Sequence, residues 1–132
     1  LIGLPVIVED SGYESFFEGA VSGTLYSFDN GYTLETELAP GAGYWIRLES
    51  DELVNFTGGP IQELTLQLSE GWNLISGISV SVPIENIVDS EGLIIEGTIY
   101  QFDDGYSPAS VIEPGRAYWV RSSGEGEVIV QI

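Results

Sequence analysis

The chain has 132 residues, with 21 acidic residues against three arginines and neither lysine nor histidine, giving a formal net charge of −18. That charge excludes nucleic acids and anionic membranes as partners, because both are held by Lys and Arg side chains reaching phosphates. Without cysteine there is no disulfide, thiol or zinc–thiolate chemistry, and without histidine the usual general base and transition-metal ligand are gone; yet 43% of the residues are apolar and 11% aromatic, too many for a disordered acidic chain.

Residues 1–8 read as a strand entered part-way along, with no basic leader and no run of about 18 apolar residues that would span a membrane. A mature or excised extracellular fragment is therefore expected, without membrane insertion. Tyr13, Phe16 and Phe17 follow at the i, i+3, i+4 spacing of a short helical turn. Tyr26 and Phe28, then Tyr32, flank Asp29-Asn30-Gly31, whose Asn-Gly supplies the positive φ of a tight hairpin. Pro40-Gly41 marks a second turn, and an aromatic strand is expected over 44–48 and a last strand over 53–56. Thr57-Gly58-Gly59-Pro60 is the one clear linker. Beyond it, Leu64, Leu66 and Leu68 alternate with Thr65 and Gln67, a half-buried strand that could pair with either half of the chain. Gly71-Trp72-Asn73 forms a corner, and Ile84, Ile87 and Val88 give a second helical turn. Tyr100, Phe102, Asp103-Asp104-Gly105 and Tyr106 give a second hairpin, Pro114-Gly115 another turn, and strands are expected near 118–121 and 128–132.

The second half therefore repeats the first. Residues 23–47 and 97–121 align without gaps at an offset of 74, with 12 of 25 positions identical. Upstream, Leu1-Ile2-Gly3 matches Leu74-Ile75-Ser76. The opening strand and Gly-Trp-Asn corner of the second copy have no counterpart in the first, so a preceding segment or another subunit is expected to complete that copy by strand addition. The acids divide evenly, 11 in residues 1–68 and 10 in 69–132. The predicted architecture is all-β with one short helical turn per copy: tandem duplicated small β-sandwich or partly open β-barrel modules, 1–60 and 61–132.

The run from Leu68 to Ser76 containing Gly-Trp-Asn-Leu-Ile, followed by the Phe-Asp-x-Gly-Tyr hairpin ending at Tyr106 and by Pro114-Gly115-x-x-Tyr118-Trp119, resembles a repeat found in bacterial and archaeal secreted and cell-surface proteins, including surface-layer-like and adhesin-like chains. The resemblance implies a non-catalytic extracellular accessory or structural module.

The candidate sites follow from residue type. Alternation puts Trp45 with Arg47, and Trp119 with Arg121, opposite the aliphatic face of their strands. Trp and Arg are the residues enriched at binding hot spots. With Arg116 and Trp72 they form the candidate surface for assembly or ligand binding, and each arginine is expected to meet a carboxylate. Hard cations need several oxygen ligands, so Glu9, Asp10, Asp89, Glu91, Asp103 and Asp104 are the candidates for calcium, against the plainer alternative of a solvated acidic surface. Asn55-Phe56-Thr57 is a glycosylation triplet. A Ser-His-Asp triad is impossible without histidine, and carboxylates at hairpin tips seldom face each other across a cleft, so no catalytic residue is expected. The sequence points to a structural repeat unit that forms a homo-oligomer or head-to-tail polymer, as a surface filament, sheath or layer. A carbohydrate-binding adhesin module, using Trp and nearby tyrosines on a polysaccharide, is the alternative.

Overall fold

A computed structural model describes residues 1–50, 54 and 56–132. Asn55 and, with it, half of the expected strand over 53–56 lie outside the described residues. The fold is all-β. In the first copy the strands are β1 (Ile2–Gly3), β2 (Val6–Ile7), β3 (Tyr26–Phe28), β4 (Tyr32–Leu34), β5 (Gly43–Tyr44) and β6 (Gly59–Pro60). In the second they are β7 (Glu63–Leu68), β8 (Gly71–Ser76), β9 (Val82–Pro83), β10 (Tyr100–Phe102), β11 (Tyr106–Pro108), β12 (Val111–Ile112), β13 (Ala117–Ser122) and β14 (Gly126–Gln131). The two helical turns are single 3-10 turns, Tyr13–Ser15 and Ile84–Asn86, shorter than the apolar spacing suggested. Among the described residues no helix is long and apolar enough to cross a membrane.

The second copy has two layers. One is an antiparallel sheet in the order β11-β10-β13-β8; the other is the β7–β14 ribbon. Leu66, Leu68, Val128 and Val130 from the ribbon and Ile75, Tyr118 and Val120 from the sheet meet in one buried cluster. This is the inward half of the period-2 alternation that the sequence displays. The first copy has a smaller core of Leu4, Tyr13, Phe17, Leu25, Leu38 and Tyr44. Its pairings follow the same plan: β4 on β3, a bridge from Tyr26 of β3 to Trp45, the residue after β5, and β5 on β1. Tyr100 pairs with Trp119 just as Tyr26 pairs with Trp45. The strand expected at 64–68 is part of β7, whose six residues all pair in register with β14; among the described residues it has no strand partner in the first copy. The linker is itself used: β6 pairs with β2.

The shared motif positions are explained by backbone bonding. Asn30 and Asp104 take φ of 54° and 58°, the left-handed conformation that the hairpin tips require and that Asn and Asp tolerate. The phenol oxygens of Tyr44 and Tyr118 accept hydrogen bonds from the Ala39 and Glu113 amides at 2.8 and 2.9 Å, closing the two Pro-Gly turns from inside the core. The Thr24 and Thr98 hydroxyls donate to the carbonyls of Val21 and Ile95 and accept from the amides of Arg47 and Arg121, clamping the aromatic strand in each copy. Asn73 fixes the Gly-Trp-Asn corner, accepting from the Ser69 amide at 2.9 Å and donating back to the Ser69 carbonyl.

The copies dock reciprocally. The Gly3 amide donates to the Gly115 carbonyl at 3.1 Å, and the Ser76 amide to the Gly41 carbonyl at 2.9 Å. Gly3 and Ser76 are equivalent positions, as are Gly41 and Gly115. Ile2 bridges to Arg116 while Ile75 bridges to Ala42. Such exchange of equivalent partners is the pattern of a two-fold contact, here within one chain. The contact is too close for matching side chains. A Cβ on Gly3 would lie 2.1 Å from the Ser76 Cβ, and one on Gly43 would lie 2.7 Å from the Ala117 Cβ. Gly43 and Ala117 are also equivalent, so each pair admits only one side chain. Replacing Gly3 or Gly43 by alanine is expected to destabilise the chain by about 1–3 kcal/mol through overpacking. In urea denaturation, Ser76→Gly should recover part of the loss caused by Gly3→Ala but none of that caused by Gly43→Ala.

Candidate functional site

Trp45 and Trp119 leave their strands on the side opposite the core, as alternation requires. That side does not simply face solvent. The Phe28 ring of the first copy packs edge-on against Trp119 of the second, with centroids 4.9 Å apart, and Phe102 of the second packs in the same way against Trp45 of the first at 5.1 Å. Each hairpin thus delivers its phenylalanine to the other copy's tryptophan. The hairpin tyrosines brace the same rings, Tyr32 on Phe28 at 5.2 Å and Tyr106 on Phe102 at 5.1 Å. Edge-to-face contacts at these distances place the electropositive ring edge over a neighbouring π face.

Trp72 completes the arrangement on one side only. In the sheet register it lies opposite Arg121, beside the Leu74–Trp119 pair. Its indole stands nearly perpendicular to that of Trp119, at 87° and 6.4 Å, and 6.2 Å from the Tyr100 ring. Phe28, Trp72, Tyr100, Tyr106 and Trp119 together wall an open concavity of about 390 Å³. The Trp119 indole N–H donates to the Tyr106 hydroxyl at 3.3 Å, which fixes one wall. Trp72 and Tyr106 remain 41% and 56% exposed, so these rings are presented to solvent. A second concavity of about 420 Å³ is lined by Tyr26, Tyr32 and Trp45, the equivalents of Tyr100, Tyr106 and Trp119.

The other sequence candidates are dispersed. Arg116 lies at the inter-copy bridge and pairs with Glu113 at 3.3 Å, both half exposed. Arg47 and Arg121 form no ion pair with a described carboxylate, contrary to the expectation for all three arginines. Among the described residues no three carboxylates come together as a metal would require. Asp10 accepts hydrogen bonds from the Gly12 amide and the Ser15 hydroxyl, which lower its pKa. Asp89 accepts from the Leu93 and Ile94 amides, both at 2.8 Å. These two candidates hold loops in shape, while Asp103 and Asp104 sit at a hairpin tip, and Glu9 and Glu91 belong to no group of three such side chains among the described residues.

The sequence reading identified the tryptophans and pointed to nearby tyrosines without singling out Tyr100 and Tyr106, and it missed Phe28 as a partner. Tyr100 and Tyr106 were accessible to the same alternation, once the hairpin was set beside the aromatic strand. Phe28 was not, because it reaches Trp119 from the other copy.

Burial raises the pKa of both Tyr44 and Tyr118 above the ordinary value of 10.0, with the amide hydrogen bonds of Ala39 and Glu113 opposing the shift. The native state keeps these protons at pH values where the unfolded chain has released them. Their contribution to stability is therefore complete below about pH 10 and declines as pH rises through the shifted values. The urea midpoint is expected to fall above about pH 10, and substitution of both Tyr44 and Tyr118 by phenylalanine should remove the late part of the phenolate absorbance titration and weaken that pH dependence.

Compared with protein-family models, with curated proteins and with solved structures, the chain matches none.

Proposed function

We propose that the chain is a non-catalytic, extracellular or cell-surface module that binds a polysaccharide in its aromatic cleft. One observation carries this: five rings drawn from both copies wall a single solvent-open concavity. Pyranose rings present faces of C–H groups, which stack on aromatic faces, and their hydroxyls remain free to bond with water or with the cleft margin. Trp and Tyr suit such a surface because they offer large apolar area with one polar handle. A few polar groups in a mainly apolar concavity are the usual make-up of a small-molecule site. The net charge of −18 repels acidic glycans. Neutral sugars and amino sugars are the favoured ligands, and a sugar ammonium gains a further attraction to the ring faces.

Calorimetric titration with neutral and amino-sugar hexasaccharides tests this directly. Trp72→Ala is expected to weaken binding tenfold or more, while Glu96→Gln, an exposed change outside the cleft, should leave it unaltered. Absence of binding to every hexasaccharide would contradict the proposal.

A separate observation supports assembly into a surface filament, sheath or layer. Strand β4 has a described strand partner on one side only, and all three of its residues are exposed, Leu34 by 55%. A free edge of this kind is a template for pairing with another chain. The equivalent strand β11 ends in Pro108, which lacks the N–H that such pairing needs. Pairing through β4 alone joins two copies isologously, so a head-to-tail polymer requires a further contact. Sedimentation at high protein concentration and salt is expected to reveal a dimer that Leu34→Pro abolishes; a monomer under all conditions would rule out this edge.

A further inference from the structure

The two aromatic concavities are equivalent in origin but unequal in construction. The first-copy concavity has the same hairpin tyrosines and the same tryptophan as the larger ring cluster, contributed by Tyr26, Tyr32 and Trp45. It has a comparable volume, about 420 against about 390 Å³. Its tryptophan is braced in the same way, by a phenylalanine from the other copy. Two walls differ. Trp72 lines the second-copy concavity, and none of the three residues lining the first-copy one takes that place. Phe102, the equivalent of Phe28, packs on Trp45 without lining the concavity.

We infer that the Tyr26–Tyr32–Trp45 concavity is a second, weaker binding site for the same neutral or amino-sugar polysaccharide, making one chain bivalent. This rests on the polysaccharide reading of the five-ring cleft. A sugar face that stacks on Tyr100, Tyr106 and Trp119 meets the same residue types, held by the same Tyr–Trp strand pairing, at Tyr26, Tyr32 and Trp45. Charge complementarity is common to both sites, because the acids are spread evenly over the two copies and no lysine or arginine lines either concavity. What separates them is the Trp72 indole, whose loss removes the wall perpendicular to the bound ring. The reciprocal Phe–Trp contacts tie the two sites together, so a polymer long enough to span them gains from the second contact without diffusing away.

The whole chain is titrated calorimetrically with a neutral hexasaccharide and with its amino-sugar counterpart. Two sites per chain are expected, with dissociation constants at least tenfold apart. Tyr26→Ala, at a ring that packs against none of the five cleft rings, should remove the weak site and leave the tight one unchanged. Trp72→Ala should keep two sites and bring the tight one to within about threefold of the weak one. Circular dichroism of both variants, each altered at an exposed ring, establishes that they remain folded; Tyr26→Leu provides a second removal of the weak site with the strand's apolar surface retained. One site per chain, unaffected by either Tyr26 substitution but weakened by Trp72→Ala, would overturn the second site and leave the polysaccharide reading standing. Failure of the unsubstituted chain to bind either hexasaccharide would overturn both.

Discussion

The reciprocal contact between the two copies is the constraint on which the remaining structure depends. Two backbone hydrogen bonds, Gly3 to Gly115 and Ser76 to Gly41, set the copies against each other at a separation where a glycine must face a serine and another glycine must face an alanine. The Ser76 hydroxyl then donates to the Ala42 carbonyl at 2.8 Å, and that of Ser79 to the Pro5 carbonyl at 2.6 Å, adding directional bonds across the same junction. Close approach of this kind is intolerant of added volume, because folded interiors are packed to near-crystalline density. Two identical copies would bring serine against serine and alanine against alanine, so the glycines of the first copy and the larger residues of the second fit them to each other.

That docking also determines what the aromatic residues do. At the observed separation the hairpins cross, and each phenylalanine reaches the other copy's tryptophan. The rings therefore act in two ways: their edges hold the copies together, and their remaining faces wall the concavities. Trp119 shows both, packed by Phe28 on one side and bonded through its N–H to Tyr106 on another. A cleft built this way is as rigid as the junction beneath it. Preorganised walls lose little side-chain entropy when a ligand arrives, which is how a surface of a few rings can bind usefully. Among the described residues the Trp72 corner walls the second-copy cleft alone, so the two concavities have unequal linings.

Much of the fold was legible in the sequence. The Asn-Gly and Asp-Gly tips, the alternation in 64–68 and the paired Tyr-Trp strands each specify local geometry, and the observed registers follow them. The all-β class followed from those elements. The helical turns are only three residues long, and the second ends where Ile87 takes extended backbone at φ −68° and ψ 126°. The inter-copy contact was hidden, since alternation says which face a side chain leaves by and nothing about what will cover that face. The same limit explains the candidate sites. Trp45, Trp72 and Trp119 were visible as residue types with a shared orientation, whereas the Phe28–Trp119 exchange joins residues 91 positions apart. The acidic candidates failed to gather because Asp10 and Asp89 satisfy loop amides, a use that spacing alone does not distinguish from metal ligation. Arginine placement was legible only in part: Arg116 meets a carboxylate at the junction, while Arg121 stands in register with Trp72.

The central claim is that the two copies exchange aromatic rings. Nuclear Overhauser contacts between side-chain protons measure this most directly, because they report through-space proximity between the rings themselves. The account predicts strong contacts from the Phe28 ring to the Trp119 indole and from the Phe102 ring to the Trp45 indole. Contacts from each phenylalanine to the tryptophan of its own copy, with none between copies, would contradict it.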